Sequence, residues 1–488
     1  MALDTSAVTA ALRNASLLIE TRGQLPARIA GVEDDSRRVA PGGLFIAVRG
    51  SERDGHDFLE RAERAGAAVA VVEDATRTRL PAIVVRDGRR AAAIVAATAY
   101  DWPVHHLRIV GVTGTNGKTT TVHMLRHLLD GPPQGRRAAS IGTVGVMVGS
   151  EGQQLEGGAG LTTPGPVELQ RVLRQLVDAN VGCLAMEVSS HALDQRRVEG
   201  LRFEAAVFTN LSRDHLDYHR TMEAYFQAKS RLLEHLAPHG TVIVNLDDPA
   251  WKPLTSERRR VSFSVRVPSA EVHARDVTYS SRGSEWTLVI DGDSRRVRLP
   301  LMGDFNVSNA LGAAAAAYAM GLSTDTIAER LSTLPQVPGR LEVVLEKPTV
   351  LRDYAHTPDA LERALRAIRP FAQGRLIVLF GAGGDRDRGK RPQMGGIAER
   401  LADLAIVTSD NPRTEDPEVI LNDIEAGMTG SNHERIEDRR AAIARALAIA
   451  GGNDVVLLAG KGHETYQIRG TDKLPFDEKA IVAELAAV

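Results

Sequence analysis

One stretch decides the fold of this chain: Leu107-Arg108-Ile109-Val110-Gly111-Val112-Thr113-Gly114-Thr115-Asn116-Gly117-Lys118-Thr119-Thr120. Its apolar run, Ile109 to Val112, predicts a buried strand, and the residues from Thr120 to Leu129 carry apolar side chains at helical spacing. A glycine-containing loop ending in Lys118 and Thr119 joins the two. In such a loop, backbone N–H groups and the positive end of the helix attract an anion. The stretch therefore predicts a phosphate-binding loop.

The loop also indicates which phosphate is bound. In the generic P-loop the lysine, here Lys118, reaches the β- and γ-phosphates, and the following hydroxyl, here Thr119, holds Mg²⁺. That generic pattern places a glycine at the position of Val112, so the match is imperfect. The alternative is an ordinary glycine-rich turn between strand and helix. The Gly-Lys-Thr-Thr run favours the nucleotide site.

Composition sets the class of protein. A chain of 488 residues exceeds what one hydrophobic core supports, so about three domains are expected. A net charge of −2 gives no reason to expect nucleic-acid or membrane binding. The single cysteine, Cys183, lies in an apolar run and suits a reducing compartment. The N-terminus lacks a signal-peptide pattern. The apolar segment 310–322, which contains a predicted alanine-rich helix over 310–319, is too short to span a membrane. These features predict a cytoplasmic protein.

Three α/β domains are predicted from the order of strand and helix patterns. Residues 1–105 contain two apolar β-type runs between helical patterns, which indicates a small N-terminal α/β domain. Residues 106–337 contain four strands that end in polar loops, which predicts a central P-loop domain with a doubly wound, mostly parallel sheet. Residues 338–488 repeat this alternation, with a helix start at Thr357-Pro358 and apolar runs over Leu376–Phe380 and Leu404–Val407, and predict a Rossmann-like C-terminal α/β domain. The segment around Pro338-Gly339 is the expected linker and hinge.

Polar side chains follow the central strands where each strand ends. Glu187 comes at the end of one apolar run, and a loop containing Asp214 and His215 follows the next. Carboxylates and imidazoles at this edge of a parallel sheet suit metal ligation, although a single one of them would more often be solvated or structural. Thr162 and Thr163 precede another helix. The local sequence alone favours neither a functional role for their hydroxyls nor a role as the N-cap of that helix.

Lys229 lies on the apolar face of a predicted helix over residues 221–236. In one interpretation its stem lies along that face while the ammonium reaches water. In the other, burial lowers its pKa and leaves a neutral amine that reacts with CO₂ to form a carbamate, an anionic metal ligand. The spacing alone leaves both interpretations open.

The C-terminal strands end in loops rich in charged groups and amides. Arg386 stands where a dinucleotide-binding fingerprint would need its third glycine, so that fingerprint is excluded. Asp410, Asn411 and Arg413 follow a second strand, and Glu464 follows a third. Because arginine recognises carboxylates with two parallel hydrogen bonds, these loops predict a small zwitterionic ligand with at least one carboxylate. Solvated loop charges are the alternative for each loop taken alone.

Taken together, these motifs resemble the Mur ligases, ATP-dependent amide-bond-forming enzymes of peptidoglycan precursor synthesis. The resemblance covers essentially the whole chain, and the family's phosphate loop shares the departure at Val112. Two motifs, Thr162-Thr163-Pro164 and Asp410-Asn411-Pro412-Arg413, resemble the members that add diaminopimelate. The other motifs that carry the resemblance are Gly114-Thr115-Asn116-Gly117-Lys118-Thr119-Thr120, Glu187-Val188-Ser189-Ser190-His191, Asn210-Leu211-Ser212-Arg213-Asp214-His215, Lys229 and Asp353-Tyr354-Ala355-His356.

The resemblance implies a role for each matching residue. The implied catalytic residues are Lys118, Glu187, His215 and Lys229. The implied ATP-binding residues are Gly114, Thr115, Asn116, Gly117, Lys118, Thr119, Thr120, Asn306, Arg340 and Asp353. The implied contacts to the UDP substrate are Ser36, Ser51, Glu52, Arg53, Thr162, Thr163, Ser189, Gln195 and Arg197. The implied amino-acid-binding residues are Arg386, Asp410, Asn411, Pro412, Arg413, Gly460 and Glu464. The implied Mg²⁺ ligands are Thr119, Glu187, His215 and Lys229 as its carbamate (N6-carboxylysine).

The same resemblance implies the reaction. ATP and two Mg²⁺ ions would activate UDP-N-acetylmuramoyl-L-Ala-D-Glu as an acyl phosphate, and meso-diaminopimelate would then be joined to it. A monomer without nucleic-acid or membrane partners is expected. Two alternative hypotheses within the enzyme class are a lysine-adding Mur ligase and a folylpolyglutamate synthetase. An alternative from another class is a P-loop switch, which hydrolyses nucleotide only to change its conformation. A switch needs no carboxylate-recognising pocket in a separate domain.

Overall fold

The computed structural model describes residues 3–50, 53–131, 136–158, 160–280 and 282–487. The chain divides into two compact units. The first comprises Met1–His273 and Leu311–Ile327, and the second comprises Ala274–Ala310 and Ala328–Val488. None of the helices in these described ranges is long and apolar enough to cross a membrane.

The first hundred residues form a small α/β sheet, as predicted. Its central strands are continuous apolar runs whose residues are all buried, the pattern expected when a parallel strand is covered on both faces. The strands are β1 (Leu3–Asp4), β2 (Leu18–Arg22), β3 (Arg28–Ile29), β4 (Val32–Glu33), β5 (Leu44–Ile46), β6 (Val69–Val72) and β7 (Ala82–Val85). The helices are α1 (Thr5–Asn14), α2 (Leu59–Arg64) and α3 (Gly88–Ala99). The main sheet has the order β2-β7-β6-β5-β4, with β2 antiparallel to β7 and the remaining pairs parallel.

The middle of the chain contains the longest sheet. Its strands are β8 (Arg108–Thr113), β9 (Arg137–Gly142), β10 (Gly145–Val148), β11 (Gln153–Leu155), β12 (Val181–Glu187), β13 (Phe203–Phe208), β14 (Leu236–Asn245), β15 (Arg260–Ser264) and β16 (Val272–Ser280). The helices among them are α4 (Lys118–Leu129), α5 (Pro166–Asp178), α6 (Ser190–Asp194), α7 (Leu216–His219) and α8 (Met222–Ser230).

The strand order in the first unit is β11-β10-β9-β12-β8-β13-β14-β15. The pairs from β9 through β15 are parallel, and β10 and β11 extend the sheet as antiparallel strands. From β8 the chain moves first to one side, to β9 and β12, and then to the other side, to β13. Such a reversal creates a crevice beyond the carboxyl ends of the strands, where ligands of doubly wound sheets bind. The predicted mostly parallel, doubly wound sheet is confirmed.

Two helices differ in length from the sequence prediction. The helix predicted over 221–236 ends at Ser230 and is followed by a 3-10 helix, Arg231–His235. It cannot continue because Leu236 begins β14 and pairs with Phe203 of β13. The alanine-rich helix predicted from residue 310 begins earlier, at Asp304.

The second unit contains another mostly parallel sheet. The described strands from residue 283 onward, not all of which belong to this sheet, are β17 (Gly283–Ile290), β18 (Asp293–Leu299), β19 (Glu342–Leu345), β20 (Thr349–Asp353), β21 (Leu376–Phe380), β22 (Leu404–Val407), β23 (His433–Arg435), β24 (Val455–Ala459), β25 (Tyr466–Arg469) and β26 (Asp472–Pro475). The helices from residue 304 onward are α9 (Asp304–Ala319), α10 (Thr324–Ser332), α11 (Pro358–Ile368), α12 (Lys390–Leu401), α13 (Pro417–Glu425), α14 (Arg439–Ile449) and α15 (Glu478–Ala486). The order is β19-β20-β24-β21-β22-β23, and only β19 runs antiparallel within this described sheet.

The start of α11 follows the sequence prediction. Thr357 caps the helix by accepting a hydrogen bond from the backbone N–H of Ala360, and Pro358 occupies the first helical turn. The buried residues of α11, among them Leu361 and Leu365, join a core cluster with residues of β20 and β21. The same cluster includes buried residues of β22 and β24, so α11 packs against the strands whose carboxyl ends carry the predicted amino-acid site.

Candidate active site

The predicted phosphate loop follows β8 at the reversal of the central sheet. Gly114 has a φ of +148°, and a Cβ there would lie 1.9 Å from Thr209 Oγ1, so only glycine fits. Gly117, with a φ of +83°, forms the N-cap of α4. The first backbone N–H groups of α4 have no partner within the helix, so this end presents donors and partial positive charge to an anion.

A second loop, after β13, supports the phosphate loop. The backbone N–H groups of Thr115 and Asn116 donate to the carbonyl and the side-chain Oδ1 of Asn210, at 2.7 and 2.9 Å. Thr115 Oγ1 donates to Ser212 O at 3.1 Å. Thr209 Oγ1 donates to Asn116 O at 2.7 Å. The loop after β13 therefore holds the phosphate loop in its observed conformation.

Lys118 lies folded against the loop that precedes it. Its Nζ donates to the carbonyls of Gly114 and Thr115, at 3.0 and 2.8 Å. Thr119 and Thr120 are buried in the first turn of α4. The ammonium of Lys118 therefore lies beside the predicted phosphate site, where it is hydrogen-bonded to the loop itself.

Glu187 is buried at the end of β12, the strand next to β8. Its Oε1 accepts a hydrogen bond from the backbone N–H of Thr143 at 2.8 Å, and its Oε2 accepts one from Thr143 Oγ1 at 3.2 Å. A Cβ on Gly142 would lie 2.1 Å from Glu187 Oε1, so the close approach of the carboxylate requires glycine there. Thr143 was missed by the sequence analysis. It also lies 3.1 Å, oxygen to oxygen, from the hydroxyl of Thr162.

Lys229 on α8 is almost fully buried, with an exposed fraction of 1%. Its Nζ donates to Gly114 O at 2.7 Å and lies 4.4 Å from the centre of the Tyr225 ring. This burial contradicts the interpretation in which the ammonium reaches water. Burial, with a smaller contribution from the charge of Lys118, holds the pKa of Lys229 well below its usual range. A neutral amine in this place meets the requirement for reaction with CO₂.

Aromatic and imidazole rings surround this lysine. His215 adopts a left-handed backbone conformation with a φ of 53°, which turns the chain into α7. Its ring lies edge-on to His191 at 4.8 Å, centre to centre. Partial burial, together with the nearby His191, lowers the pKa of His215. His219 lies 5.4 Å from the His191 ring and donates to or accepts from Ser190 Oγ at 2.9 Å.

The chemistry of these groups fits magnesium in part. The described residues contain no group of three or more His, Cys, Asp or Glu side chains already arranged around a metal position. The Thr119 hydroxyl and the Glu187 carboxylate supply the oxygen ligands that Mg²⁺ prefers. Unmodified Lys229 supplies no oxygen ligand to such a site.

Residues predicted to contact the UDP substrate lie next to the backbone of Glu187. Thr163 Oγ1 donates to Glu187 O at 2.8 Å and accepts from the backbone N–H of Ser189 at 3.1 Å. Arg197 donates to Thr163 O at 2.9 Å and, through Nη2, to Gln195 Oε1 at 2.7 Å. Burial lowers the pKa of the Arg197 guanidinium.

Thr162 and Thr163, which precede helix α5, do not cap it. The N-cap of α5 is Gly165, which makes no side-chain capping hydrogen bond, so the capping role considered for the threonines is wrong. The structure brings Thr162, Thr163, Ser189, Gln195 and Arg197 together.

The predicted uridine contacts differ in exposure. Ser36 is buried, whereas Arg53 is exposed and its carbonyl accepts a hydrogen bond from Gly50 N at 2.9 Å. Ser51 and Glu52 lie outside the described residues.

Three of the residues implied for ATP lie in the second unit. Asn306 is buried in α9, where its Nδ2 donates to Met302 O at 2.7 Å. Asp353 ends β20 and accepts from Leu341 N at 2.7 Å, and burial raises the pKa of this carboxyl to about 6. The Arg340 guanidinium stacks over the Tyr354 ring at 4.9 Å.

The predicted amino-acid-binding residues meet at the carboxyl ends of β22 and β24. Asp410 and Asn411 are buried, and a Cβ on Gly460 would lie 2.5 Å from Asp410 Oδ2. Glu464 Oε2 accepts a hydrogen bond from Asn411 Nδ2 at 2.9 Å. Arg413 has a φ of 52° and donates to Gly384 O at 2.8 Å, and burial lowers the pKa of its guanidinium. Carboxylates, an amide and a guanidinium therefore lie close together at this edge of the sheet, where the sequence predicts the amino-acid pocket.

Two further residues of this region are the predicted Arg386 and a lysine that the sequence did not single out. Arg386 is exposed, and its Nη1 donates to the carbonyl of its neighbour Asp385 at 2.9 Å. Lys461 was missed, although its side chain is fully buried among the pocket residues. The available signal was a lysine between two glycines directly after a buried strand.

Three family models together match most of the chain. The Mur ligase family catalytic domain matches residues 28–108, the Mur ligase middle domain matches residues 112–317, and the Mur ligase glutamate ligase domain matches residues 339–462.

Individual proteins give the same picture. A UDP-N-acetylmuramoyl-L-alanyl-D-glutamate–2,6-diaminopimelate ligase from Gloeobacter violaceus is 46% identical over 469 residues, which cover 94% of each chain. A solved structure of a ligase of that name is 33% identical, with a TM-score of 0.69 over 100% of this chain and 99% of its own. A folylpolyglutamate synthase from Mycobacterium tuberculosis, solved with ADP and AMPPCP, shares the fold at 18% identity, with a TM-score of 0.64 over 76% of this chain and 92% of its own.

Proposed function

The chain belongs to the Mur ligase family, and we propose that it uses ATP to join meso-diaminopimelate to UDP-N-acetylmuramoyl-L-alanyl-D-glutamate. The curated relative that is 46% identical carries the name of this activity. The reaction forms an amide bond and releases ADP and phosphate, as a step of peptidoglycan precursor synthesis.

The observation that carries the substrate choice is the pocket around Arg413. Asp410 and Glu464 offer carboxylates to an ammonium group, while Arg413 offers a guanidinium to a carboxylate. Diaminopimelate has an ammonium and a carboxylate at each end. Lysine lacks the distal carboxylate and would leave the partly buried guanidinium without its partner, at a cost in binding.

The phosphate loop supports the first chemical step. The γ-carboxylate of the D-glutamate residue attacks the γ-phosphorus of ATP, the bond to ADP breaks, and an acyl phosphate forms. Lys118, released from the loop carbonyls it now contacts, would neutralise charge that develops on the transferred phosphoryl group. The amine of diaminopimelate then attacks the acyl carbon, a proton leaves the nitrogen, and phosphate departs as the amide forms.

Mg²⁺ belongs to this proposal, with Thr119 for one ion and Glu187, His215 and carbamylated Lys229 for a second. When bound, the cations would offset the negative charge of the phosphates. The carbamate forms when the neutral Lys229 amine attacks CO₂ and loses a proton. Burial of Lys229 beside Gly114 O supports this assignment, because a neutral amine is the reactive form.

The remaining contacts follow the same proposal. Thr162, Thr163, Ser189, Gln195 and Arg197 would bind the pyrophosphate and sugar-peptide part of the UDP substrate. Ser36 and the loop at Arg53 would bind the uridine end, and the parts assigned to Ser51 and Glu52 stay predictions. Asn306, Arg340 and Asp353 would contact ATP, and Arg386 and Pro412 would complete the amino-acid pocket.

The domain plan is likewise a proposal. Residues 1–105 would bind the UDP substrate, residues 106–337 ATP, and residues 338–488 the amino acid. The cytoplasmic location, the monomeric state and the hinge near Pro338-Gly339 stay predictions from the sequence.

An amino-acid panel tests the proposed activity. Purified protein is incubated with ATP, Mg²⁺ and UDP-N-acetylmuramoyl-L-alanyl-D-glutamate, and each of meso-diaminopimelate, L-lysine and L-glutamate is added in turn. We expect mass spectrometry to find the tripeptide product with diaminopimelate at more than about 100-fold the rate with lysine, because the unpaired guanidinium disfavours lysine. Preferential use of lysine would identify a lysine-adding ligase. A parallel incubation with a folate in place of the UDP substrate tests the folylpolyglutamate alternative, which addition of glutamate to the folate would identify.

A further inference from the structure

Lys461 is a cation buried beneath the pocket that would receive the amino acid. It follows β24 directly after Gly460, and the exposed fraction of its side chain is 0%. Its Nζ lies 3.1 Å from Asn411 Oδ1, 3.3 Å from Glu464 Oε2 and 3.7 Å from Asp410 Oδ1. The rings of Tyr466 and Phe476 lie about its ammonium at 5.9 and 6.0 Å. A buried charge is costly unless it is paired and hydrogen-bonded, and this one contacts three pocket residues.

Lys461 determines the orientation of the Asn411 amide. Asn411 Oδ1 accepts from Lys461 Nζ at 3.1 Å and from the backbone N–H of Ile468 at 2.9 Å. Since two donors converge on Oδ1, the amide must direct its Nδ2 the other way. There it donates to Glu464 Oε2 at 2.9 Å. A flipped amide would place its NH₂ group against an ammonium and an N–H.

The same ammonium determines the orientation of the Glu464 carboxylate. Both the lysine and the asparagine contact its Oε2, so Oε1 is the oxygen that remains to accept a hydrogen bond from a substrate ammonium. Lys461 also lies between Glu464 and Asp410, and its positive charge offsets the repulsion between the two carboxylates.

We propose that Lys461 is a positioning residue for diamino-acid binding: it fixes Asn411, Glu464 and Asp410 in the arrangement that accepts the substrate ammonium. Lys461 itself is covered by these residues and does not touch the substrate. This inference rests on the proposed function. It predicts a selective effect on one substrate, because the polar partners of the Lys461 ammonium in the described part of the chain, Asn411, Glu464 and Asp410, are all assigned to the amino acid.

The test is steady-state kinetics of Lys461→Met with each of the three substrates varied in turn. We expect the KM for meso-diaminopimelate to rise about 50-fold, because hydrogen bonds to charged groups and their orientation are lost. We expect the KM values for ATP and for the UDP substrate to change less than about two-fold, since their contacts lie elsewhere. Calorimetric titration of diaminopimelate measures the same loss without turnover.

A second variant covers the case in which the methionine protein does not fold. Lys461→Gln keeps most of the volume and one donor for Asn411 Oδ1, and we expect its KM for diaminopimelate to rise about 10-fold. The matched control is Lys347→Met, an exposed lysine of the same unit, which should behave like the wild type.

Several results would overturn the inference. One is an unchanged KM for diaminopimelate in both variants. Another is an equal rise in all three KM values with a lowered melting temperature, because that would indicate a structural role alone. A wild-type protein that does not ligate diaminopimelate would overturn the proposed function as well, whereas an active wild type with unaffected variants would overturn this inference only.

Discussion

Lys229→Ala is expected to lower kcat by at least about 10³-fold, because a carbamate on Lys229 would supply ligands for a cation that stabilises the transferred phosphoryl group. The wild-type lysine is buried, contacts Gly114 O at 2.7 Å and has a pKa held well below its usual range by burial. Short carboxylic acids such as acetate or formate should restore part of the activity, since they can place a carboxylate in the space left by the side chain.

Two variants separate the carbamate from simple packing. Lys229→Met fills the space with an apolar chain, so it should be as inactive as the alanine variant but should not respond to added carboxylic acids. Lys252→Ala, an exposed lysine of the same unit, should retain wild-type activity.

A spectroscopic readout is independent of turnover. In ¹³C-bicarbonate, the wild type should show a carbamate carbon signal by NMR that both Lys229 variants lack. An active Lys229→Ala protein, or a wild type without that signal, would contradict the assignment.

Arg413→Ala is expected to lower kcat/KM for meso-diaminopimelate by about 10³-fold, because the distal carboxylate would lose its charged partner in a partly buried pocket. Use of L-lysine, which has no distal carboxylate, should change less than about three-fold, so the preference between the two amino acids should nearly disappear. The measurement is kcat/KM for each amino acid at saturating ATP and UDP substrate.

The controls for Arg413 concern its backbone and its charge. Arg413 has a φ of 52°, a conformation that is strained for arginine and alanine alike. Thermal unfolding is therefore recorded for each variant, to show that the folded backbone is retained. Arg413→Lys retains the charge but not the planar fork, and it should fall between the wild type and the alanine variant. Arg400→Ala, an arginine that is 56% exposed on α12, should leave the preference intact. An Arg413→Ala enzyme that uses diaminopimelate as well as before would exclude the carboxylate clamp.

Features set by local sequence could be predicted closely. The strand before the phosphate loop and the strands Leu376–Phe380 and Leu404–Val407 are continuous apolar runs ending in polar loops, and β8, β21 and β22 occupy them. Thr357 and Pro358 predicted a helix start because capping depends on neighbouring residues only. The position of Lys229 on an apolar face left open whether its ammonium reaches water, and the structure shows that it is buried.

Features set by the order of strands could not be predicted from the sequence. Thr143 reaches Glu187 because β9 pairs with β12, although 44 residues separate the two. Burial of Lys461 depends on Asn411, which lies 50 residues away in the sequence and contacts its ammonium through the order of β22 and β24 in the sheet. The early end of α8 likewise depends on the pairing of Leu236 with β13.

The central claim is that the protein couples ATP cleavage to the joining of a carboxylate and an amine. Phosphate release measured with each substrate omitted in turn tests it most directly. We predict that sustained release requires UDP-N-acetylmuramoyl-L-alanyl-D-glutamate and meso-diaminopimelate together, and that it stops when either is left out. Release of phosphate from ATP at the same rate with neither present would contradict the account.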